Sequence, residues 1–119
     1  MRSIHFFPKK TMRNIRKRYR LKKLIEIHHV IPREFSKHPV LKKYNFDTEE
    51  SYNLMFCAST KGISTMNLRE TRPVHSGGHM SYNKFTIEQL DRCNSIFDLY
   101  VLWLCLHLGC RGLFKIPWK

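Results

Sequence analysis

Two pairs of histidines place the strongest constraint on this chain of 119 residues. His28 and His29 are adjacent at the end of an apolar stretch, and His75 and His79 lie four residues apart. Successive side chains of a strand point to opposite faces, but a bulge or bend before Pro32 can turn both members of the first pair toward one site. A spacing of four places two imidazoles on the same face of a helix. The pattern therefore predicts that the end of a strand meets a helix.

The histidines can form a metal site that keeps one position open. One imidazole from the strand and two from the helix would supply three nitrogen ligands, as in catalytic metal sites. The remaining histidine of the strand pair would be available as a base, because an unperturbed imidazole has a pKa of ~6.5. The alternatives are a hydrogen-bonded core imidazole at His28 and a helix-surface side chain at His79. Gly77 and Gly78 favour the site. Each glycine costs a helix about 1 kcal/mol, so helix propensity does not explain this segment, whereas a metal that holds both of its ends would.

Positive charge is concentrated at the beginning of the chain. The net charge is +13, and residues 1–25 contain ten basic residues and no acidic residue. Such a block requires a polyanionic partner, most commonly nucleic acid, with an anionic lipid surface or a solvated tail as the alternatives. In a eukaryotic cell the block could also serve as a nuclear address. We expect the following side chains of this basic arm to contact phosphates: Arg13, Arg16, Lys17, Arg18 and Arg20.

Hydrophobic periodicity predicts the order of the elements. Met12, Ile15 and Tyr19 recur at helical spacing, which indicates a basic amphipathic helix within residues 9–23. Thr86 and Gln89 form a capping box that predicts one long helix over residues 87–108, ended by Gly109. Two strands are predicted at residues 24–31 and 53–57. Short helical turns are predicted at residues 33–44, and a polar connection at residues 58–72.

These elements predict an α+β fold with a basic arm at residues 1–23 and one folded domain at residues 24–119. No apolar stretch reaches the ~18 residues that a membrane span needs. No apolar segment follows the basic beginning of the chain as it would in a signal peptide. We therefore expect a soluble, intracellular protein.

The four cysteines show no CxxC pairing and are expected to be reduced thiols. Cys105, His107 and Cys110 could instead form part of a structural zinc site. That alternative is less favoured, because the spacing supplies no familiar tetrahedral set.

The order of the histidine strings resembles the HNH nucleases. The chain reads IHHVIP at 27–32, then Asn53 before a short apolar strand, then HSGGHMSY at 75–82. This order is similar to the ββα-metal finger, or His-Me finger, that colicin-type DNases also use, and it is most similar to the branch marked by Ala-His-His. The resemblance covers residues 24–90. Ile27 stands where that branch has alanine, and Leu-Met-Phe follows Asn53 in place of Gly-Ile/Val-x-Leu-Pro.

The resemblance implies a site for one divalent metal formed by His28, His75 and His79. His29 would be the general base that takes a proton from the attacking water, and Asn53 would hydrogen-bond backbone and hold the His29 loop. The metal would stabilise the leaving 3′ oxygen, so that the products carry a 5′-phosphate and a 3′-hydroxyl. Three imidazoles suit Zn, Ni or Co, although Mg or Mn could support turnover. Basic side chains near the site could contact phosphate: Arg69, Arg72 and Lys84.

The resemblance thus implies an endonuclease that hydrolyses phosphodiester bonds in DNA, with its ββα-metal core packed on the C-terminal helix. Two alternatives stay open. One is a non-catalytic DNA-binding or packaging protein that keeps the metal finger as a scaffold. The other is a ribonuclease with the same site, because a surface that reads the phosphate backbone does not distinguish the two sugars. The expected partner is nucleic acid, DNA rather than RNA, and not a membrane; the oligomeric state is not indicated.

Overall fold

A computed structural model describes residues 8–21, 23–66 and 79–119 of the chain. Two short 3₁₀ turns accompany the regular elements, at Arg33–Phe35 and Ser51–Asn53. The helices and strands of the described residues are, in chain order, α1 (Lys9–Arg18), β1 (Ile25–His29), α2 (Pro39–Lys43), β2 (Leu54–Ala58), α3 (Thr60–Met66), α4 (Met80–Asp91) and α5 (Ile96–Cys110). The chain therefore combines helices with a small sheet, which is the α+β class.

The sheet consists of β1 and β2, which pair in antiparallel fashion. Ile25 lies opposite Ala58 at one end and His29 lies opposite Leu54 at the other. Both strands coincide closely with the apolar stretches that predicted them, so these two predictions are confirmed. Because the register ends at His29, the histidine pair stands at the point where the chain leaves the sheet.

The core lies between the segment that follows β1 and the helices α4 and α5. Its fully buried members include Val30 and Ile31 after the strand, Leu90 in α4, and Leu99 and Leu106 in α5. Burial of aliphatic side chains of this size stabilises a fold by about 1.5–3 kcal/mol each. The packing holds the exit of β1 against α4 and thereby fixes where the histidines of β1 lie.

The predicted single helix over residues 87–108 is wrong, since α4 ends at Asp91 and α5 begins at Ile96. Ser95 caps α5, because its hydroxyl accepts a hydrogen bond from the Asp98 amide and the Asp98 carboxylate accepts one from the Asn94 amide. This local capping competes successfully with helix continuation. None of the helices in the described parts of the chain has both the length and the apolar character needed to cross a membrane.

The predicted capping box at Thr86 is also wrong. α4 begins six residues earlier, and the Thr86 hydroxyl donates a hydrogen bond to the Tyr82 carbonyl oxygen at 2.8 Å, inside the helix. A threonine that bonds the carbonyl four residues back is a helix-interior residue. The Thr86–Gln89 pattern therefore lies within a helix and does not mark where that helix begins.

Gly109 does not end α5 as predicted, because the helix continues to Cys110 and Arg111 is its C-cap residue. Gly112 follows with a φ of 82°, and the amide of Leu113 donates to the carbonyl oxygen of Leu108 at 3.2 Å. This is the Schellman arrangement, which needs a residue in the left-handed region. Gly109 is instead a buried position against Ile116.

Two further predictions change in detail. The helix predicted within residues 9–23 ends at Arg18; Met12 is buried, but Tyr19 lies beyond the helix and is exposed. The connection predicted at residues 58–72 contains α3, whose beginning is marked by a hydrogen bond from the Gly62 amide to the Ser59 hydroxyl. Residues 67–72 lie outside the described residues.

Candidate active site

His28 is buried at the centre of a network that joins β1, α4 and α5. Its Nε2 lies 3.5 Å from the Sγ atom of Cys110, and the same sulfur lies 3.5 Å from the hydroxyl of Tyr82. The Tyr82 hydroxyl donates a hydrogen bond to the carbonyl oxygen of Val30. Burial raises the pKa of Cys110 to about 12 and that of Tyr82 well above its ordinary value, so both groups stay neutral beside the imidazole.

His79 lies beside His28, with ring centroids 5.4 Å apart and the planes nearly perpendicular. Its Nδ1 is 2.9 Å from Oδ1 of Asn83, whose Nδ2 donates to Oε1 of Glu34 at 2.6 Å. Because the carboxylate only accepts, it fixes the orientation of the amide. The amide oxygen then accepts from Nδ1–H, so the lone pair of the neutral His79 imidazole is on Nε2.

The prediction that His79 lies within a helix that it shares with His75 is wrong for His79. α4 starts at Met80, and His79 is its N-cap residue. The glycine pair at 77 and 78 is consistent with this start, because glycine is a poor helix former. His75, the other member of the predicted helical pair, lies outside the described residues.

His29 contacts a carboxylate. Its Nε2 lies 3.1 Å from Oε1 of Glu49, whose Oε2 accepts a hydrogen bond from Nζ of Lys9 at 2.7 Å. The bond from Lys9, assisted by that from His29 and opposed by partial burial, lowers the pKa of Glu49 to about 2. Glu49 is therefore ionised at neutral pH and can only accept, so in the neutral form of His29 the proton is on Nε2 and the lone pair is on Nδ1.

The three histidines share one cleft of about 520 Å³. His28 and His29 reach it from the end of β1, and His79 reaches it from the beginning of α4. The rest of the lining is formed by Ile27, Pro32, Arg33, Glu34 and Asn83. The structure thus brings together two predicted metal ligands, His28 from β1 and His79 from the beginning of α4, and the predicted base His29.

Asn53 fixes the chain where it leaves β1. Its side chain is fully buried, its Oδ1 accepts from the Ile31 amide at 2.8 Å, and its Nδ2 donates to the carbonyl oxygens of Ile31 and Thr48 at 2.9 and 2.8 Å. Its own carbonyl oxygen accepts from the Val30 amide. Buried amides of this kind hold backbone segments in one arrangement. The segment that follows His29 is therefore tied to the segment that precedes β2.

The donor chemistry of the cleft fits a divalent metal that prefers nitrogen ligands. His28 and His79 are adjacent imidazoles, and His79 carries its lone pair on Nε2 while its other nitrogen is hydrogen-bonded, as is usual for metal ligands. Among the described residues, no set of three or more His, Cys, Asp or Glu side chains is arranged to hold a metal. The third predicted ligand, His75, is not among those residues.

The predicted phosphate-binding residues divide into four groups. Arg16 is half-buried and pairs with Glu26 at 3.4 Å. Lys84 is exposed on α4 but does not line the cleft, and Arg69 and Arg72 lie outside the described residues. The remaining members of the basic arm are exposed: Arg13, Lys17, Arg18 and Arg20.

Sequence reasoning missed several residues of the site. Arg33 lines the cleft with a side chain that is 70% exposed, and Trp118 packs against His28 and His79 with ring centroids 5.3 and 5.0 Å away. The four-residue spacing of His79 and Asn83 could have been noticed, because such pairs are neighbours at a helix start. No local signal points to Glu49 or Trp118, since each meets its histidine only through the fold.

Comparison with known proteins adds a family match. Residues 9–98, more than half of the chain, match the family model described as AHH, a nuclease family of the HNH/ENDO VII superfamily with conserved AHH. Neither a curated protein nor a solved structure matches the chain. The matched range includes α1, both strands, α4 and all three histidines of the cleft.

Proposed function

The chain belongs to the AHH nuclease family of the HNH/ENDO VII superfamily, and from this membership we propose that it is a metal-dependent endonuclease that cuts DNA. The observation that carries the proposal is the shared cleft of His28, His29 and His79. Within it, the imidazoles of His28 and His79 are adjacent, and the imidazole of His29 is hydrogen-bonded to the ionised carboxylate of Glu49. The proposal assigns the adjacent pair to the metal and the third imidazole to the base, the two roles that metal-assisted hydrolysis of a phosphodiester uses.

His29 is the proposed general base. When neutral, its ring holds the lone pair on Nδ1 while Nε2–H bonds Glu49, and in this form it can take a proton from a water molecule positioned in the cleft. Asn53 supports this role by fixing the backbone that follows His29. The exposed Arg33 at the edge of the cleft is suited to bind a phosphate oxygen of the substrate.

His28, His79 and His75 are the proposed ligands of one divalent metal. Zn, Mg or Mn are the candidates for the cell, and Ni or Co could replace them in vitro. A bound divalent cation would supply positive charge at the scissile phosphate and at the leaving 3′ oxygen. Cys110 and Tyr82 would hold the His28 ring in place from the other side.

The basic arm at residues 1–23 is proposed to bind the phosphate backbone beside the nuclease domain at residues 24–119. Its exposed basic side chains on and after α1 form a charged surface that favours a polyanion. Arg69, Arg72 and Lys84 remain candidates for further phosphate contacts. Such contacts give affinity but do not select between DNA and RNA.

Cleavage assays on two substrates separate the three candidate functions. Purified protein is incubated with supercoiled plasmid or with single-stranded RNA, in Mg²⁺, Mn²⁺, Zn²⁺, Ni²⁺ or Co²⁺, with and without EDTA. We expect metal-dependent nicking of the plasmid and little cleavage of the RNA. Preferential RNA cleavage would establish the ribonuclease alternative. Salt-sensitive DNA binding without cleavage in any metal would establish the non-catalytic alternative and overturn the proposal.

Tryptophan fluorescence tests where the metal binds. The chain has two tryptophans, Trp118 beside His28 and His79, and Trp103 beside His107. We expect Co²⁺ to quench emission saturably in Trp103→Phe, in which Trp118 alone emits. Quenching that persists unchanged in Trp118→Phe instead would place the ion near Trp103 and contradict the proposed ligands.

A further inference from the structure

Resting on the proposed function, we propose that Glu49 is a positioning residue for His29, and that Lys9 holds Glu49 in the orientation this requires. The first residue of α1 would then take part in positioning the base. The basic helix would thus contribute to the rate of the chemical step as well as to binding.

Hydrogen bonds to the Glu49 carboxylate connect three separate parts of the chain. Lys9 begins α1, Glu49 lies in the loop before β2, and His29 ends β1. One carboxylate oxygen of Glu49 is 3.1 Å from Nε2 of His29 and the other is 2.7 Å from Nζ of Lys9. The side chains are partly shielded, with exposures of 17% for His29, 26% for Lys9 and 38% for Glu49. Both oxygens of the carboxylate are therefore engaged by defined partners.

The backbone around Glu49 is fixed relative to the strand that carries His29. The Glu49 amide donates to Oδ1 of Asp47 at 2.9 Å, and the carbonyl oxygen of the buried Thr48 accepts from Nδ2 of Asn53 at 2.8 Å. The same Asn53 amide group bonds Ile31, two residues after His29. Asn53 therefore sets the positions of both Glu49 and His29, and their contact follows from the fold rather than from a chance approach of two surface groups.

The contact has a chemical consequence for a base. An ionised carboxylate accepts from Nε2–H and so keeps the lone pair on Nδ1. When Nδ1 takes a proton from water, the ring becomes an imidazolium that stays hydrogen-bonded to the carboxylate, which itself remains unprotonated. Lys9 keeps Glu49 ionised and occupies its second oxygen. Arg33 also faces Glu49, but at 4.0 Å and with a largely exposed side chain.

Steady-state cleavage by Glu49→Gln tests the proposal, with the exposed neighbour Glu50→Gln as the matched control. The amide keeps the shape of the carboxylate but carries no charge, so it can present its NH₂ group to the ring and stabilises an imidazolium much less. We expect kcat to fall by about 10- to 100-fold in Glu49→Gln, a fraction of what general-base catalysis contributes, while KM changes little. Equal kcat in the two variants would overturn the proposal. Glu49→Asp checks the dependence on geometry and should recover part of the loss.

A double-variant cycle separates a positioning role from a structural one. In a His29→Ala background, Glu49→Gln should cause no further loss of kcat, because the group that it positions is gone. A further loss equal to that seen in the wild-type background would overturn the proposal. If His29→Ala alone leaves kcat unchanged, the proposed function fails first. If His29→Ala abolishes cleavage while Glu49→Gln matches Glu50→Gln, only the present inference fails.

The part played by Lys9 is tested by comparison with its neighbour. Lys9→Met and Lys10→Met remove the same charge from adjacent positions of α1, but Lys9 alone of the two bonds Glu49. We expect kcat in Lys9→Met to be about fivefold lower than in Lys10→Met, consistent with partial loss of an oriented base. Identical kcat values would show that α1 contributes only through its charge.

Discussion

The amide of Tyr82 donates a hydrogen bond to the carbonyl oxygen of Trp118 at 3.1 Å, which joins the first turn of α4 to the end of the chain. The hydroxyl of Ser81 donates to the carbonyl oxygen of Lys119 in the same region. Amides in the first turn of a helix have no partner within the helix, and the Trp118 carbonyl oxygen supplies one for the Tyr82 amide. The contact also lays the Trp118 indole against His28 and His79, two of the histidines that line the candidate site.

Trp118→Ala should remove this packing and destabilise the protein. Because the indole is only half-buried, we expect the free energy of unfolding to fall by about 1–3 kcal/mol, less than for a fully buried tryptophan. Urea denaturation followed by circular dichroism measures the change. Trp118→Phe should retain most of the stability, because the ring contact with the imidazoles is kept. A stability of Trp118→Ala equal to that of the wild type would show that the end of the chain is not packed against α4.

Gly109→Ala should be destabilising despite the higher helix propensity of alanine. A Cβ at this buried position would overlap the side chain of Ile116, and relief of the overlap requires movement of that side chain or of the tail that carries it. We expect a loss of about 1–3 kcal/mol, typical of overpacking. Ile116→Ala in the same chain should recover part of the loss caused by Gly109→Ala. Additive losses in the double variant, measured by the same urea titration, would contradict the close approach.

Asn53→Ala should be among the most damaging substitutions in the chain. It removes an acceptor for Ile31 and donors for Ile31 and Thr48, all in a buried environment. We expect the free energy of unfolding to fall by about 2–4 kcal/mol, because the substitution leaves buried backbone groups without hydrogen-bond partners. The exposed Asn94→Ala is a suitable comparison and should change stability by less than about 0.5 kcal/mol. Similar values for the two variants would show that Asn53 does not hold the loop.

Acidification should destabilise the fold in part through His107. Burial, assisted by the positive charge of Arg111, lowers the pKa of His107 from 6.5 to about 4. Between these two pH values the unfolded chain binds a proton at this position more readily than the folded chain, so stability falls as the pH is lowered from 6.5 toward 4. His107→Phe should therefore show a smaller loss of stability between pH 7 and pH 4.5 than the wild type. An equal loss in both proteins would show that His107 is not protected from protonation.

The local parts of the fold follow from the sequence, and the long-range parts do not. The strands around His28 and Asn53 were predictable because apolar, extended stretches have a local signature. The break between α4 and α5 was missed because the apolar spacing runs across it, while the cap formed by Ser95 and Asp98 is a weaker signal. Periodicity reports which face of an element is apolar and cannot by itself identify a short polar interruption.

The candidate site divides in the same way. The histidine strings point to a metal and a base because residue type and spacing carry that chemistry directly. Glu49 and Trp118 leave no such trace, since Glu49 reaches His29 from another loop and Trp118 returns from the opposite end of the chain. Their contacts form only when distant segments pack together in the folded protein, and no local pattern in the sequence predicts them.

The most direct test of the whole account is single-turnover cleavage of plasmid DNA by His29→Ala. The variant is first shown to bind Co²⁺ with the quenching of Trp118 seen in the wild type, and to bind DNA with the same salt dependence. We then expect the cleavage rate to fall by about 100-fold or more, as for loss of a general base. Cleavage by His29→Ala at the rate of the wild type, under conditions where EDTA stops both proteins, would contradict the assignment of His29 and with it the mechanism proposed for this site.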